Sequence, residues 1–324
     1  MPKENLMSKK TVTVFAATGT AGRACVEELI RQDVFNVQVL VRKSGMVEKT
    51  SVNPPQDAAT KHAQWVDWQA RGVTIRHADV TNAFELISAL KGTDYLVSCV
   101  PITATESQYP LIWAAKEAGV ERFVPSEFGL IYEWEQSLPT PTLHRALARQ
   151  KVFIRQVIEL AGLDYTIIPA GFWPEYYLLE PVSVMGKGQD KIAWSAGQDV
   201  GRIIPHVLAH PASRNATCAV AATAYCSWDE LIDVRERLLG RKIARAYLDN
   251  AAFRAAYAGA RNHAEQELTA IGVAATEAAA GMPLFGNWNA TYLPEFKGTP
   301  LEVLFPTVIE PTLAAMRAAM AGTQ

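Results

Sequence analysis

The sequence has almost no charge excess, since 31 lysines and arginines face 33 aspartates and glutamates for a formal net charge of −2. That balance argues against a nucleic-acid surface and against a protein held on anionic lipid. No stretch approaches the ~18 uninterrupted apolar residues of a membrane-spanning helix. Cysteine is scarce. Cys25, Cys99, Cys218 and Cys226 stand singly with no Cys-x-x-Cys spacing, which argues against a disulfide framework and fits free thiols in a reducing compartment. No metal is expected. Met1 to Lys10 is polar and lysine-rich, without the apolar segment of a secretory signal. A flexible N-terminus over residues 1–10 and a cytoplasmic protein are therefore expected. The chain also lacks internal repeats, and Gly186-Lys187-Gly188 lacks the spacing of a Walker loop.

What the chain does contain begins at Thr11. The β-branched run from Thr11 to Phe15 enters a turn of small residues, Ala16-Ala17-Thr18-Gly19-Thr20-Ala21-Gly22, and reopens as a helix whose apolar stripe is Gly22, Val26, Leu29 and Ile30. Small residues at such a turn let the backbone approach a pyrophosphate, and the first N–H groups of the helix point at the anion. Thr18, Gly19, Thr20, Ala21 and Gly22 are thus the candidate phosphate contacts.

A second strand, Val37 to Lys43, ends in two cations. In a dinucleotide-binding fold the end of this strand reads the adenosine ribose, where an acid suits NAD and a cation suits the 2′-phosphate of NADP. Arg42 and Lys43 therefore favour NADPH. A loop over 45–60 and a polar helix over 61–71 follow. Strands over 73–80, 95–101 and 122–125 alternate with helices over 83–91 and 106–118. Repeated β-α alternation predicts an α/β, doubly wound parallel sheet. Its ligand lies across the C-terminal strand ends, where Gly19, Arg42, Asp79, Val100, Pro101 and Ser126 fall.

Thr140 and Pro141 form a helix start signal. Leu147, Ile154, Ile158 and Ala161 mark the buried face, and Lys151 falls on that face between Leu147 and Ile154. A lysine there either snorkels to water or reaches the nicotinamide end of the cofactor, where burial lowers its pKa and makes it a general base. After a strand over 164–169 comes an aromatic cluster, Phe172, Trp173, Tyr176 and Tyr177. With Phe128 it forms either core or the wall of a pocket for a flat substrate. A hairpin at Gly186 to Gly188, a helix over 199–209, a strand over 216–222, a helix over 228–239, an alanine-rich helical stretch over 251–280, a loop over 281–288 and a helix over 301–320 complete the chain. That loop brings Met282 and Phe285 forward as further substrate contacts. The expected organisation is a nucleotide domain over 11–175 and a smaller substrate lobe over 176–324, with a small aromatic substrate as partner. A homodimer stays open.

Several motifs together resemble the isoflavone reductase-like and NmrA-like branch of atypical short-chain dehydrogenases, which includes pinoresinol-lariciresinol and phenylcoumaran benzylic ether reductases. They are Pro125-Ser126-Glu127-Phe128-Gly129, Lys151-Val152-Phe153-Ile154-Arg155, Gln108, and Lys61 eleven residues before Gly72. The resemblance implies that Lys61 helps bind the 2′-phosphate and that Lys151 acts as the base without a catalytic tyrosine. The position four before Lys151 is Leu147, so the Tyr-x-x-x-Lys pair of ordinary short-chain dehydrogenases is absent, as that branch allows. It further implies NADPH-dependent reduction of a benzylic ether through a quinone methide. The alternatives are a non-catalytic NAD(P)-binding redox sensor and a quinone or isoflavone-type reductase. Two departures stand out: Ala16 replaces the first glycine of the turn, and Gly171 replaces an asparagine before Phe172. His144 reads as a surface histidine, or as an acid in a related branch.

Overall fold

The computed structural model describes residues 9–43, 58–132, 143–261, 263–278 and 286–321. Eleven strands occur among them: β1 (Thr11–Phe15), β2 (Asn36–Arg42), β3 (Thr74–Ala78), β4 (Tyr95–Ser98), β5 (Arg122–Val124), β6 (Asp164–Ile167), β7 (Val182–Met185), β8 (Ile192–Trp194), β9 (Ala216–Thr217), β10 (Ala224–Cys226) and β11 (Arg245–Leu248). The helices that matter for the site are α1 (Thr20–Gln32), α2 (Ala58–Ala70), α3 (Ala83–Leu90), α4 (Gln108–Ala118) and α5 (Leu143–Leu160).

Seven strands form one sheet in the order β3-β2-β1-β4-β5-β6-β9. The pairs from β3 across to β6 are parallel. Val12, Val14, Leu96, Val97, Phe123 and Val124 are fully buried, as befits strands covered by helices on both faces. The expected doubly wound, Rossmann-like fold is therefore present. Its strand order reverses between β1 and β4, the point at which folds of this kind bind a ligand beyond the carboxyl ends of the strands.

Two compact units divide the chain. One comprises Met1–Ser126, Ile154–Thr166 and Pro211–Ala216, the other Glu127–Phe153, Ile167–His210 and Thr217–Gln324. The chain thus passes between units repeatedly, with α5 contributing to both, whereas the change in composition suggested a single step after residue 175. In the first unit, Ile154, Val157 and Ile158 of α5 pack with Leu86, Leu111 and Phe123. In the second, Phe172, Trp194, Trp228, Leu231 and Phe305 share a core. Buried Arg235 ties this unit together by bonding Glu310 and the Leu178 carbonyl.

Three local expectations need correction. Gly186 to Gly188 is not a hairpin turn, because β7 pairs in parallel with β11 and β8 pairs antiparallel with β10. The strand expected over 216–222 shortens to β9. The alanine-rich stretch is two helices, Asn250–Ala258 and His263–Ala278, because Gly259 caps the first. Residues 1–8 of the expected N-terminal tail lie outside the described residues, but Lys10 is anchored, its ammonium pairing with Asp94 and Glu121. The four thiols are free, and no helix among the described residues is long and apolar enough to cross a membrane.

Candidate functional site

The turn after β1 is shaped by two small residues. Ala16 adopts φ 60°, a left-handed conformation that an L side chain disfavours by about 1–2 kcal/mol. It fills the position where a glycine was expected, so the turn geometry persists without the glycine. Gly22 is dictated by packing: a Cβ there would lie 2.5 Å from the Ala16 carbonyl oxygen and 2.8 Å from Ala17 Cα. The start of α1 therefore rests directly on the turn. Gly19 is its N-cap, no side chain caps it, and its first turn contains no acid. Bare N–H groups and an uncompensated helix dipole suit a phosphate.

The other expected contacts gather at neighbouring strand ends of the same unit. Ser126 Oγ donates to the Val100 carbonyl at 2.6 Å, and the Ser126 N–H donates to Gln108 Oε1 at 2.8 Å. Ser126 thus holds the end of β5 beside the end of β4, with buried Gln108 bracing it, and Pro101 follows on the exposed side. At the end of β2, the Lys43 N–H bonds the Ala78 carbonyl at 3.0 Å, which fixes Lys43 beside Asp79. Arg42 is half-buried, as is Lys61 on α2. Asp79 does not present its carboxylate outward alone, because Oδ1 accepts from both the N–H and the hydroxyl of Thr81. Glu85, which sequence reasoning missed, pairs with Lys43 at 2.9 Å.

The candidate base belongs to the second unit. Lys151 lies on the buried face of α5 with Ala148, and is 5 % exposed. Its Nζ sits 5.7 Å from the centre of the Tyr132 ring. Burial pushes the amine down to about 8, against the opposing influence of the Glu127 carboxylate. Glu127 and Tyr132 are both buried. The first stands inside a motif that sequence inspection singled out; nothing in the local pattern signals the second.

The aromatic residues divide. Phe172 is 2 % exposed and its ring packs on Tyr177, Trp194 and Trp228 at 4.6, 5.8 and 5.9 Å, so its ring is a core element of this unit. Trp173 and Tyr177 are half-buried. Trp173 donates its indole N–H to the Phe128 carbonyl at 2.8 Å and stacks on Tyr176. Gly171 has φ 68°, and a Cβ there would collide with the Ala193 carbonyl. That close approach accounts for glycine in place of asparagine. Met282 and Phe285 lie outside the described residues, as do Thr140 and Pro141, and the His144 side chain is likewise outside the description.

The model of the NmrA-like family matches residues 8–284. The chain belongs to the NmrA-like family. Among curated relatives, this NmrA-like chain is 25% identical over 257 residues to an isoflavone reductase of Pisum sativum, covering 75% of this chain and 80% of that one. It is 26% identical over 257 residues to the phenylcoumaran benzylic ether reductase TP7 of Nicotiana tabacum, covering 75% and 79%. Among solved structures, AtPrR2 with NADP+ and (+)pinoresinol superposes with a TM-score of 0.75 at 21% identity, over 91% of this chain and 97% of that one. The likeness confirms the fold of this NmrA-like protein.

Proposed function

We propose that this chain is an NADPH-dependent reductase of a phenolic, phenylpropanoid-like compound, with Lys151 as its general base. The observation that carries the reading is a lysine that is 5 % exposed on the buried face of α5, beside Ala148, Ile154 and Ile158, and held down to about 8. An amine poised there is a base near neutral pH. The names of the relatives, isoflavone and benzylic ether reductases, supply the class of reaction.

The residues present fit the cofactor. The bare N-terminus of α1, closed down on the turn by Gly22, takes the pyrophosphate. Arg42, Lys43 and Lys61 take the 2′-phosphate, and Asp79, Val100, Pro101 and Ser126 border the rest. When bound, the nicotinamide supplies a hydride. Neutral Lys151 Nζ takes the proton of a phenol para to a benzylic ether. The resulting phenolate pushes out the benzylic C–O bond, which leaves a quinone methide and an alkoxide. The hydride that a bound nicotinamide would supply to the benzylic carbon would restore the phenolate; Lys151 returns one proton and water supplies the second, which completes the phenol and the alcohol. Phe128, Trp173 and Tyr177 are assigned to hold the flat substrate.

The test is NADPH oxidation followed by absorbance with pinoresinol, a phenylcoumaran, an isoflavone and a simple quinone, for the wild type and Lys151→Ala. Turnover on a benzylic ether, reduced by at least about 10²-fold in the variant while NADPH still binds, is the expected result. Turnover on the quinone alone reassigns the reaction. NADPH binding without turnover on any of the four turns the reading towards an NAD(P)-binding sensor.

A further inference from the structure

Glu85, in the first turn of α3, joins the ends of two strands in the first unit. Its Oε2 accepts the Asp79 N–H at 3.0 Å and the Lys43 ammonium at 2.9 Å. The Asp79 N–H, and after it Lys43, hold its carboxyl below the ordinary carboxylate range, so it is charged at neutral pH. Lys43, Arg76, His77, Glu85 and Ser88 line one groove there. The cation that marks this site for a phosphate is therefore already engaged by a carboxylate.

We infer that Glu85 sets the nucleotide preference of this chain, weakening by its hold on Lys43 the selection for a 2′-phosphate that the cationic end of β2 makes. The inference rests on the nucleotide site proposed above. A 2′-phosphate must compete with Glu85 for Lys43 and meets the charge of Glu85 itself, whereas an unesterified 2′-hydroxyl brings no charge and suits a carboxylate acceptor. The Lys43 and Glu85 side chains are 53% and 34% exposed, so solvent screens the effect to a few-fold in affinity.

Dissociation constants for NADPH and NADH, measured by nucleotide fluorescence at low salt with wild type and Glu85→Gln, test it. Glutamine keeps the acceptor for the Asp79 N–H and removes the charge. The preference for NADPH over NADH is expected to rise by about threefold or more, and the rise to shrink as salt is added. Lys43→Met is expected to cost less than about twofold in NADPH affinity in the wild type and distinctly more beside Glu85→Gln. A preference that stays the same or falls in Glu85→Gln overturns the inference while leaving the nucleotide site intact, as does a large loss from Lys43→Met alone. A wild type that binds neither nucleotide overturns the underlying reading, and the inference with it.

Discussion

Replacing Gly22 by alanine tests the packing on which the phosphate-binding turn depends. The added Cβ would stand 2.5 Å from the Ala16 carbonyl oxygen and 2.8 Å from Ala17 Cα, where ordinary contact begins at 3.4 Å. The shortfalls are 3.4 − 2.5 = 0.9 Å and 3.4 − 2.8 = 0.6 Å, and both partners are backbone, so no side chain can turn aside. Overpacking of this kind costs about 1–3 kcal/mol. Alanine returns up to about 1 kcal/mol of helix propensity, less in a first turn. A net loss of about 1–2 kcal/mol lowers Tm by roughly 1.5–3 °C in a protein of this size. Because the shift lifts the start of α1 off the turn, NADPH binding is expected to weaken about tenfold, equivalent to about 1.4 kcal/mol. Gly19→Ala is the control, since its Cβ would meet only the Ala16 oxygen at 3.7 Å and its φ is −70°. Thermal unfolding by circular dichroism and fluorescence titration with NADPH read both variants. If Gly22→Ala unfolds at the wild-type temperature, or Gly19→Ala proves the less stable of the two, the close approach is not what selects glycine at 22.

If Lys151 is the base, kcat/KM on the true substrate rises about tenfold per pH unit below about 8 and levels above it; a flat profile from pH 6 to 9 removes it from that role. Ala16→Gly relieves a φ of 60°, and after the extra unfolded-state freedom of glycine a gain of up to about 1 kcal/mol is expected in urea unfolding with an unchanged slope; a loss contradicts the left-handed turn. Buried Glu175 accepts the Gly197 N–H at 2.7 Å, and burial pushes its carboxyl from 4.5 up to about 7. A carboxyl raised on folding binds its proton more tightly in the folded state, so its contribution to stability is full below pH 4.5 and is lost as pH rises to about 7. Glu175→Gln keeps an acceptor and is expected to recover on the order of 3 kcal/mol or less above pH 7, read as urea midpoints at pH 5 and 8; an equal change at both pH values assigns the effect to packing.

Local patterns made the first unit legible. The Thr11 to Gly22 run announces strand, turn and helix through residues adjacent in sequence, and β-α alternation prescribes the sheet with few alternatives. Lys151 was visible for the same reason, as one polar residue on an apolar helical face. The pairing of Lys43 with Glu85 was not, because it arises from the register that sets the Lys43 N–H on the Ala78 carbonyl, and no spacing encodes it. Asp79 was legible as a residue at the end of β3, but the Thr81 N–H and hydroxyl that one of its oxygens accepts were not. In the second half, glycines and short β runs implied a hairpin, yet each strand pairs with a segment distant in sequence: β7 with β11 and β8 with β10. Non-local pairing of short strands leaves little periodic trace.

The burial of Lys151 is itself an argument about function. Leucine or methionine would fill the same face of α5 without desolvating an amine, so packing alone gives no reason for lysine. With its amine held at about 8 rather than 10.5, roughly one molecule in ten carries the neutral base at pH 7, against about one in three thousand for an unperturbed lysine. Glu127 acts in the opposite direction, favouring the ammonium, and the Tyr132 ring beside Nζ does likewise. Burial alone would depress the amine further, and these two neighbours limit the fall. An amine near 8 gives up a proton and takes one back with little driving force either way, which is what a group that must return to its starting state in every turnover requires.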